Sequence, residues 1–166
     1  MINESGQVAA PGEVGELVAR GSNISCGYWN STEETAERFG PLGYRTGDLG
    51  YADKEGFLFL VGRKHDMIKV GAHRVGAKEI EDVLNEHPSI SEAAVVPVAH
   101  ALLGEAPMAF IATRQGVAPD VADIVSFCRA RLTGHKVPIE FVTLPAIPKS
   151  GIGKIDKQSL RRMASE

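Results

Sequence analysis

Apolar and polar positions change their period along this 166-residue chain. GELVARG, residues 15–21, alternates the two classes, which predicts a half-buried strand. STEETAERF, residues 31–39, predicts a short helix. Ser31 and Glu34 stand at capping-box spacing there, and Phe39-Gly40-Pro41-Leu42-Gly43 is its stop. GDLG (47–50) and DKEG (53–56) predict turns, and the β-prone run FLFLVG (57–62) makes the region around 53–56 a hairpin. Eleven of the 18 glycines fall within residues 1–62, so this stretch reads as short strands joined by tight turns.

From residue 67 onward the texture changes. MIKV (67–70) predicts a strand and GAHRVG (71–76) a loop with two glycines. Residues 77–86 predict a helix with Ala77, Ile80, Val83 and Leu84 on one face and Lys78, Glu79 and Glu81 in solvent. AAVVPV (93–98) and MAFIATR (108–114) are apolar enough for buried strands. A second amphipathic helix spans about 120–132, with Val121, Ile124, Val125, Cys128 and Leu132 as its stripe. EFVTL (140–144) is another strand, PKSGIGK (148–154) an exposed, mobile loop, and a short basic helix follows. The order β-β-α-β-β-α-β-loop-α predicts a compact α+β unit from about residue 63, preceded by a β-rich piece.

Composition narrows the function classes. With 43% apolar and 23% charged residues, the chain has the make-up of a globular protein. No apolar run approaches the roughly 20 residues that a membrane-spanning helix needs. Cys26 and Cys128 lie in no ligand pattern, so reduced thiols and a cytoplasmic setting are expected. The net charge of −3 conceals an uneven distribution. Residues 62–74 hold Arg63, Lys64, Lys69 and Arg74 against Asp66 alone, and residues 149–166 hold five basic side chains against two acidic ones. Two short positive segments in an acidic chain read from charge alone first as solvated charge clusters, and they would also suit a small anionic ligand; nucleic acid would call for a broader basic face.

Three segments carry residues suited to chemistry. In YRTGDLG (44–50), Gly47 accepts dihedrals that other residues resist, so Asp48 can be presented rigidly to vicinal hydroxyls. In GRKHDMIKVGAHRVGAKEIE (62–81), Arg63 and Arg74 bracket a strand and a glycine loop, and guanidinium groups bind phosphate oxygens bidentately. In PKSGIGKID (148–156), Gly151 and Gly153 place Lys154 at the end of a loop that lacks the Walker spacing. Taken alone, Asp48 reads first as a turn aspartate and Lys154 as a basic tail, and the two arginines read as well as surface residues. The five histidines show no metal-ligand spacing.

Taken in order, GELVARGSNISCGYWNSTEETAERF (15–39), YRTGDLG, GRKHDMIKVGAHRVGAKEIE and PKSGIGKID resemble the C-terminal third of an adenylate-forming (AMP-binding) enzyme of the acyl-CoA synthetase and ligase superfamily. The resemblance implies that residues 1–62 are the β-rich end of a large N-terminal domain. It further implies that 63–66 are a hinge centred on His65 and 67–166 a small, mobile α+β lid. Asp48 matches the aspartate that holds the ATP ribose, and Arg63 the arginine on ribose or phosphate. Lys154 matches the lysine at the carboxylate and α-phosphate. Gly71, Ala72, His73 and Arg74 match the loop that lines the CoA path. ATP or AMP, CoA, Mg2+ and a carboxylic acid are the implied ligands.

Three positions depart from the family's usual residues: His65 at the hinge, Ala72 after Gly71, and Ile152 before the final Gly-Lys. The superfamily's phosphate loop and the remainder of the large domain do not occur in this sequence. ATP, acid and CoA are therefore expected to be handled with an N-terminal domain not included here, and the chain is expected to be inactive alone. The leading expectation is an AMP-forming acid–CoA ligase. The alternatives are an adenylation domain that loads a carrier-protein phosphopantetheine and a non-catalytic nucleotide- or partner-binding module.

Overall fold

A computed structural model describes residues 1–115 and 117–165. The chain divides into two compact units, Met1–His65 and Asp66–Glu166.

The first unit is an antiparallel sheet with one short helix. It comprises β1 (Gly15–Ala19), α1 (Thr32–Arg38), β2 (Phe39–Gly40), β3 (Gly43–Ala52) and β4 (Leu58–Arg63). The ten-residue β3 is central: β1 runs along it, β2 pairs with its start and β4 with its second half. GDLG is accordingly no chain reversal, since it lies inside β3. The DKEG hairpin forms as the sequence implies, closed by Asp53 Oδ1, which accepts from the Phe57 N–H at 2.8 Å. Ser31 precedes α1 without a side-chain cap; instead its carbonyl accepts from the Thr35 hydroxyl at 2.6 Å. Among the described residues of this unit Ile2 is the one buried hydrophobic side chain, while Trp29, Phe57, Leu58 and Leu60 are exposed.

The second unit is a five-stranded sheet sandwiched between helices. It holds β5 (Met67–Val70), β6 (His73–Gly76), α2 (Ala77–Asn85), β7 (Ile90–His100), β8 (Gly104–Thr113), α3 (Val121–Arg129), β9 (Glu140–Thr143) and α4 (Lys157–Met163). β8 is central, antiparallel to β7 and β5 and parallel to β9. The period-2 geometry of a strand sends alternate residues to opposite faces. Ala93, Val95, Ala109 and Ile111 pack with Ile80 and Leu84 of α2 and Ile124 and Cys128 of α3. Ala94, Val96, Met108 and Phe110 pack with Leu160 of α4 and with Ile147. Both faces are covered, which is why 93–98 and 108–112 read as unbroken apolar runs.

Two local expectations need correction. GAHRVG is mostly strand: His73–Gly76 form β6, paired back onto β5 from Val70↔His73 to Met67↔Gly76. The cause is a two-residue turn, with Gly71 at φ +59° and Ala72 outside the left-handed region. Glycine first and an ordinary residue second is the pattern of a II′ hairpin turn. The second helix is also shorter than expected, ending at Arg129, and Val121 is exposed at its start. Asp120 fixes that start by accepting from the Ala122 and Asp123 N–H groups at 3.0 and 3.2 Å.

The two cysteines report on different units. Cys26 is exposed, whereas Cys128 is buried in the core between α2 and α3, and burial pushes its thiol pKa up. A thiol reagent is expected to label Cys26 in the native chain and Cys128 only after the second unit unfolds. Peptide mapping after brief alkylation, with and without denaturant, checks this. Rapid native labelling of Cys128 would contradict the packing.

Candidate nucleotide-binding and lysine-bearing sites

The first unit builds its site around the bulge in β3. From Glu16 to Val18, β1 advances two residues, while β3 advances four, from Arg45 to Leu49. Thr46, Gly47 and Asp48 therefore stand opposite the single residue Leu17, two more than regular pairing needs. Thr46 donates its hydroxyl to the Leu17 carbonyl at 3.0 Å and accepts from the Asp48 N–H at 3.0 Å. Gly47 sits at φ +78°, a conformation that favours glycine, and an added Cβ would meet Arg38 Nη1 at 3.2 Å. Asp48 is thus held by its backbone, on the rung opposite Arg63, whose Nε donates to Asp48 Oδ1 at 2.9 Å.

That Asp48–Arg63 pair is partly solvent-exposed, with 30% and 56% side-chain exposure. Exposed pairs contribute at most about 1 kcal/mol, so a ligand offering hydroxyls to the carboxylate and phosphate oxygens to the guanidinium can compete for both. The Tyr28 and Tyr44 hydroxyls meet at 3.0 Å beside this motif and Phe39 packs against both rings.

Beneath the bulge lies a group that the strand pattern did not flag. Glu16 is 5% exposed, and its Oε2 accepts from Arg45 Nη2 at 2.6 Å, Arg45 Nε at 3.1 Å and Lys64 Nζ at 3.2 Å. Burial pushes its pKa up, but the hydrogen bonds and charges of Arg45 and Lys64 outweigh this and leave it below the ordinary value. The folded carboxylate therefore stays charged at a pH where an unfolded glutamate has taken up a proton. Its contribution to stability is full above the unfolded pKa and is lost as pH falls through the lowered folded value. The first unit is expected to loosen in that acid window, read by the amide chemical shifts of β1 and β3, and Glu16→Gln is expected to flatten the profile. An identical acid profile in the variant would contradict this role. The available signal was a glutamate flanked by glycine and leucine in a strand, opposite a sequence holding arginine.

In the second unit the candidate residues lie on two separate turns. Gly71 and Ala72 form the β5–β6 turn, and His73 and Arg74 open β6; all four are exposed. The His73 ring stacks on His135, with centroids 4.2 Å apart and planes at 12°. Sequence spacing carries no sign of this contact between positions 73 and 135.

Lys154 stands on the other turn. The Ser150 N–H donates to the Lys154 carbonyl at 2.7 Å, the Gly153 N–H to the Ser150 carbonyl at 2.8 Å, and the Asp156 N–H to the Pro148 carbonyl at 2.9 Å. Residues 148–156 are therefore a loop closed on itself as a hairpin, with Gly153 at φ +78° and the Lys154 side chain exposed. Asp156 then starts α4 by accepting from the Gln158 and Ser159 N–H groups, both at 3.1 Å.

Glu81 is a further correction, being 7% exposed instead of solvated. Its carboxylate accepts from the Val95 N–H at 2.8 Å and pairs with Lys157 Nζ at 2.9 Å. Position 81 lies one turn beyond Ala77 and so shares the buried face of α2. Lys157 also pairs with Asp66 Oδ2 at 3.3 Å, and Arg161 Nη2 with Asp66 Oδ1 at 3.0 Å.

Among the described residues, no group of three or more His, Cys, Asp or Glu could hold a metal ion. No helix of the described residues is long and apolar enough to cross a membrane.

Comparison with known proteins places these features in a family. Residues 79–154 match the AMP-binding enzyme C-terminal domain. The 2-succinylbenzoate–CoA ligase of Geobacillus kaustophilus is 38% identical over 162 residues, covering 98% of this chain and 33% of that protein. Pyochelin synthase PchD of Pseudomonas aeruginosa is 40% identical over 163 residues, covering 97% of this chain and 30% of its own length. Among solved structures, o-succinylbenzoate CoA synthetase from Bacillus subtilis, in complex with the acyl-adenylate intermediate OSB-AMP, superimposes with a TM-score of 0.89. It is 32% identical, over 96% of this chain and 33% of that one. The chain spans about a third of the length of the curated relatives it matches. An α+β unit with this topology, matched by the AMP-binding C-terminal domain and flanked by the same strands as in these ligases, makes the chain a C-terminal segment of the adenylate-forming enzyme superfamily.

Proposed function

We propose that this chain supplies the nucleotide-facing strand pair, the hinge and the lid of an AMP-forming acid–CoA ligase. The observation that carries the reading is the β3 bulge, which fixes Asp48 beside Arg63, 2.9 Å apart, in a chain that also bears Lys154 on a closed turn. Asp48 accepts the ribose hydroxyls of ATP, and Arg63 binds ribose or phosphate oxygen. A carboxylate oxygen attacks the α-phosphorus, the bond to the β-phosphate oxygen breaks, and pyrophosphate leaves. Lys154 offsets the negative charge that builds on this in-line transition state. In the second step a thiol sulfur attacks the acyl carbonyl carbon, the bond from that carbon to the AMP phosphate oxygen breaks, and AMP and the thiol's proton are released. The Gly71–Arg74 turn lines the approach of the thiol.

His65 is the hinge between the large domain's end and the lid, so that the Lys154 turn and the 71–74 turn serve successive steps. A lid of this kind excludes water from the acyl-adenylate. Magnesium would accompany ATP, and among the described residues no group of three or more His, Cys, Asp or Glu could hold it. On this reading the acid and most of the ATP pocket belong to a large domain outside these 166 residues.

A second reading, transfer to a carrier-protein phosphopantetheine, is favoured by the 40% identity to a pyochelin synthase. The test is AMP release from ATP by the polypeptide that joins this chain to its large domain, over a panel of carboxylic acids, with and without CoA. Release that CoA accelerates supports the ligase. Adenylation indifferent to CoA supports carrier loading, and the methyl group of Ala72 then becomes the first position to revert to glycine.

A further inference from the structure

Sheet pairing stops just short of His65 on one side and resumes just beyond it on the other. The last rung of β4 is Asp48↔Arg63, and the first rung of β5 is Met67↔Gly76. Residues 64–66 between them form a single 3-10 turn outside both sheets. The two flanking side chains are nevertheless held, each within its own unit. Lys64 Nζ reaches the buried Glu16 carboxylate, which Arg45 fixes with two further hydrogen bonds. Asp66 is gripped at both oxygens by Lys157 and Arg161, one turn apart on α4. Lys157 is in turn tied to the buried Glu81, whose carboxylate also binds the Val95 N–H.

We propose that Glu16 on one side and the Lys157–Arg161 pair on the other are positioning residues, which confine reorientation of the two units to the φ and ψ of His65. This rests on the reading of His65 as a hinge and adds what makes the hinge narrow. A carboxylate withdrawn from water and held by two cations resists release, because separating the pair leaves a buried charge uncompensated. Arginine and lysine at i and i+4 on one helix face place both donors on the same carboxylate. The arrangement also links the hinge to the proposed lysine site. The helix that grips Asp66 is the one whose N-cap, Asp156, closes the Lys154 turn.

The experiment is backbone 15N relaxation, including relaxation dispersion, on the 17.7 kDa chain. Rotation confined to His65 gives an order parameter below about 0.6, or an exchange contribution, at His65, with Lys64 and Asp66 near about 0.85. Lys64→Met is expected to spread the mobile signature to Lys64. Arg161→Met is expected to spread it to Asp66, and Lys64→Arg and Arg161→Lys to restore it to one residue. Lys64 and Arg161 are each partly exposed, so these variants leave the cores intact, as amide dispersion confirms. Mobility already spread over 63–67 in the unaltered chain, or unmoved by the Met variants, would overturn the clamp while leaving the hinge standing. Two units that tumble as one body, with neither signature at His65, would overturn the hinge reading itself and the clamp with it.

Discussion

Replacing Lys154 with alanine is expected to cut adenylate formation by about 10²–10³-fold while leaving the fold of residues 66–166 unchanged. The turn that carries Lys154 is closed by backbone hydrogen bonds at Ser150, Gly153 and Asp156, and its side chain is exposed. Removing the ammonium therefore deletes no packing and no buried partner. If the proposed function holds, the loss falls on the transition state, where charge on the transferring α-phosphoryl group is greatest. Single-turnover measurement of adenylate, in the polypeptide that includes the large domain, separates this from the second step. If the variant also slowed thioester formation from preformed adenylate as severely, Lys154 would not be specific to the first step. An unaltered first step would remove it from the chemistry.

The second large effect concerns stability. Residues 66–166 alone are expected to fold and unfold cooperatively, whereas residues 1–65 alone show no cooperative transition. The second unit buries an apolar cluster on each face of its sheet, and Phe110 is the largest of its fully buried side chains. In the first unit, Ile2 is the sole described hydrophobic side chain that is buried. Phe110→Ala is expected to destabilise the second unit by about 3–5 kcal/mol. That is a large share of the roughly 5–15 kcal/mol that a domain possesses. Because the single tryptophan and all three tyrosines lie within residues 1–65, far-UV circular dichroism in urea is the suitable probe for 66–166. A broad, non-cooperative melt of residues 66–166, or a Phe110→Ala variant with an unchanged midpoint, would contradict the packing account.

Periodicity served best where burial was simple. The helix stripe Ala77-Ile80-Leu84 and the two unbroken apolar strands were legible, because burial there follows the period of the backbone. It failed where a polar group substitutes for an apolar one. Glu81 reads as solvated by residue type, yet it lies buried against the Val95 N–H and Lys157, partners 14 and 76 positions away. Glu16 is hidden in the same manner by Arg45 and Lys64. GDLG misled for a different reason. Glycine beside aspartate signals a turn, but here it marks a bulge that keeps the strand continuous while re-aiming one side chain. GAHRVG misled because six residues can fold into a two-residue turn and a strand when the first glycine supplies positive φ. The motifs bearing Asp48, Arg63 and Lys154 were visible as strings. Their arrangement, a cross-strand pair in one unit and a hydrogen-bonded hairpin in the other, required the pairing of distant strands.

The proposed function is tested most directly by carboxylate-dependent release of AMP from ATP, by a polypeptide joining this chain to the large domain that reading calls for, assayed with and without CoA. AMP release is expected to depend on the acid, to be accelerated by CoA, and to fall when Asp48 is replaced with alanine. Absence of acid-dependent adenylation across the panel, or full activity in Asp48→Ala, would contradict it.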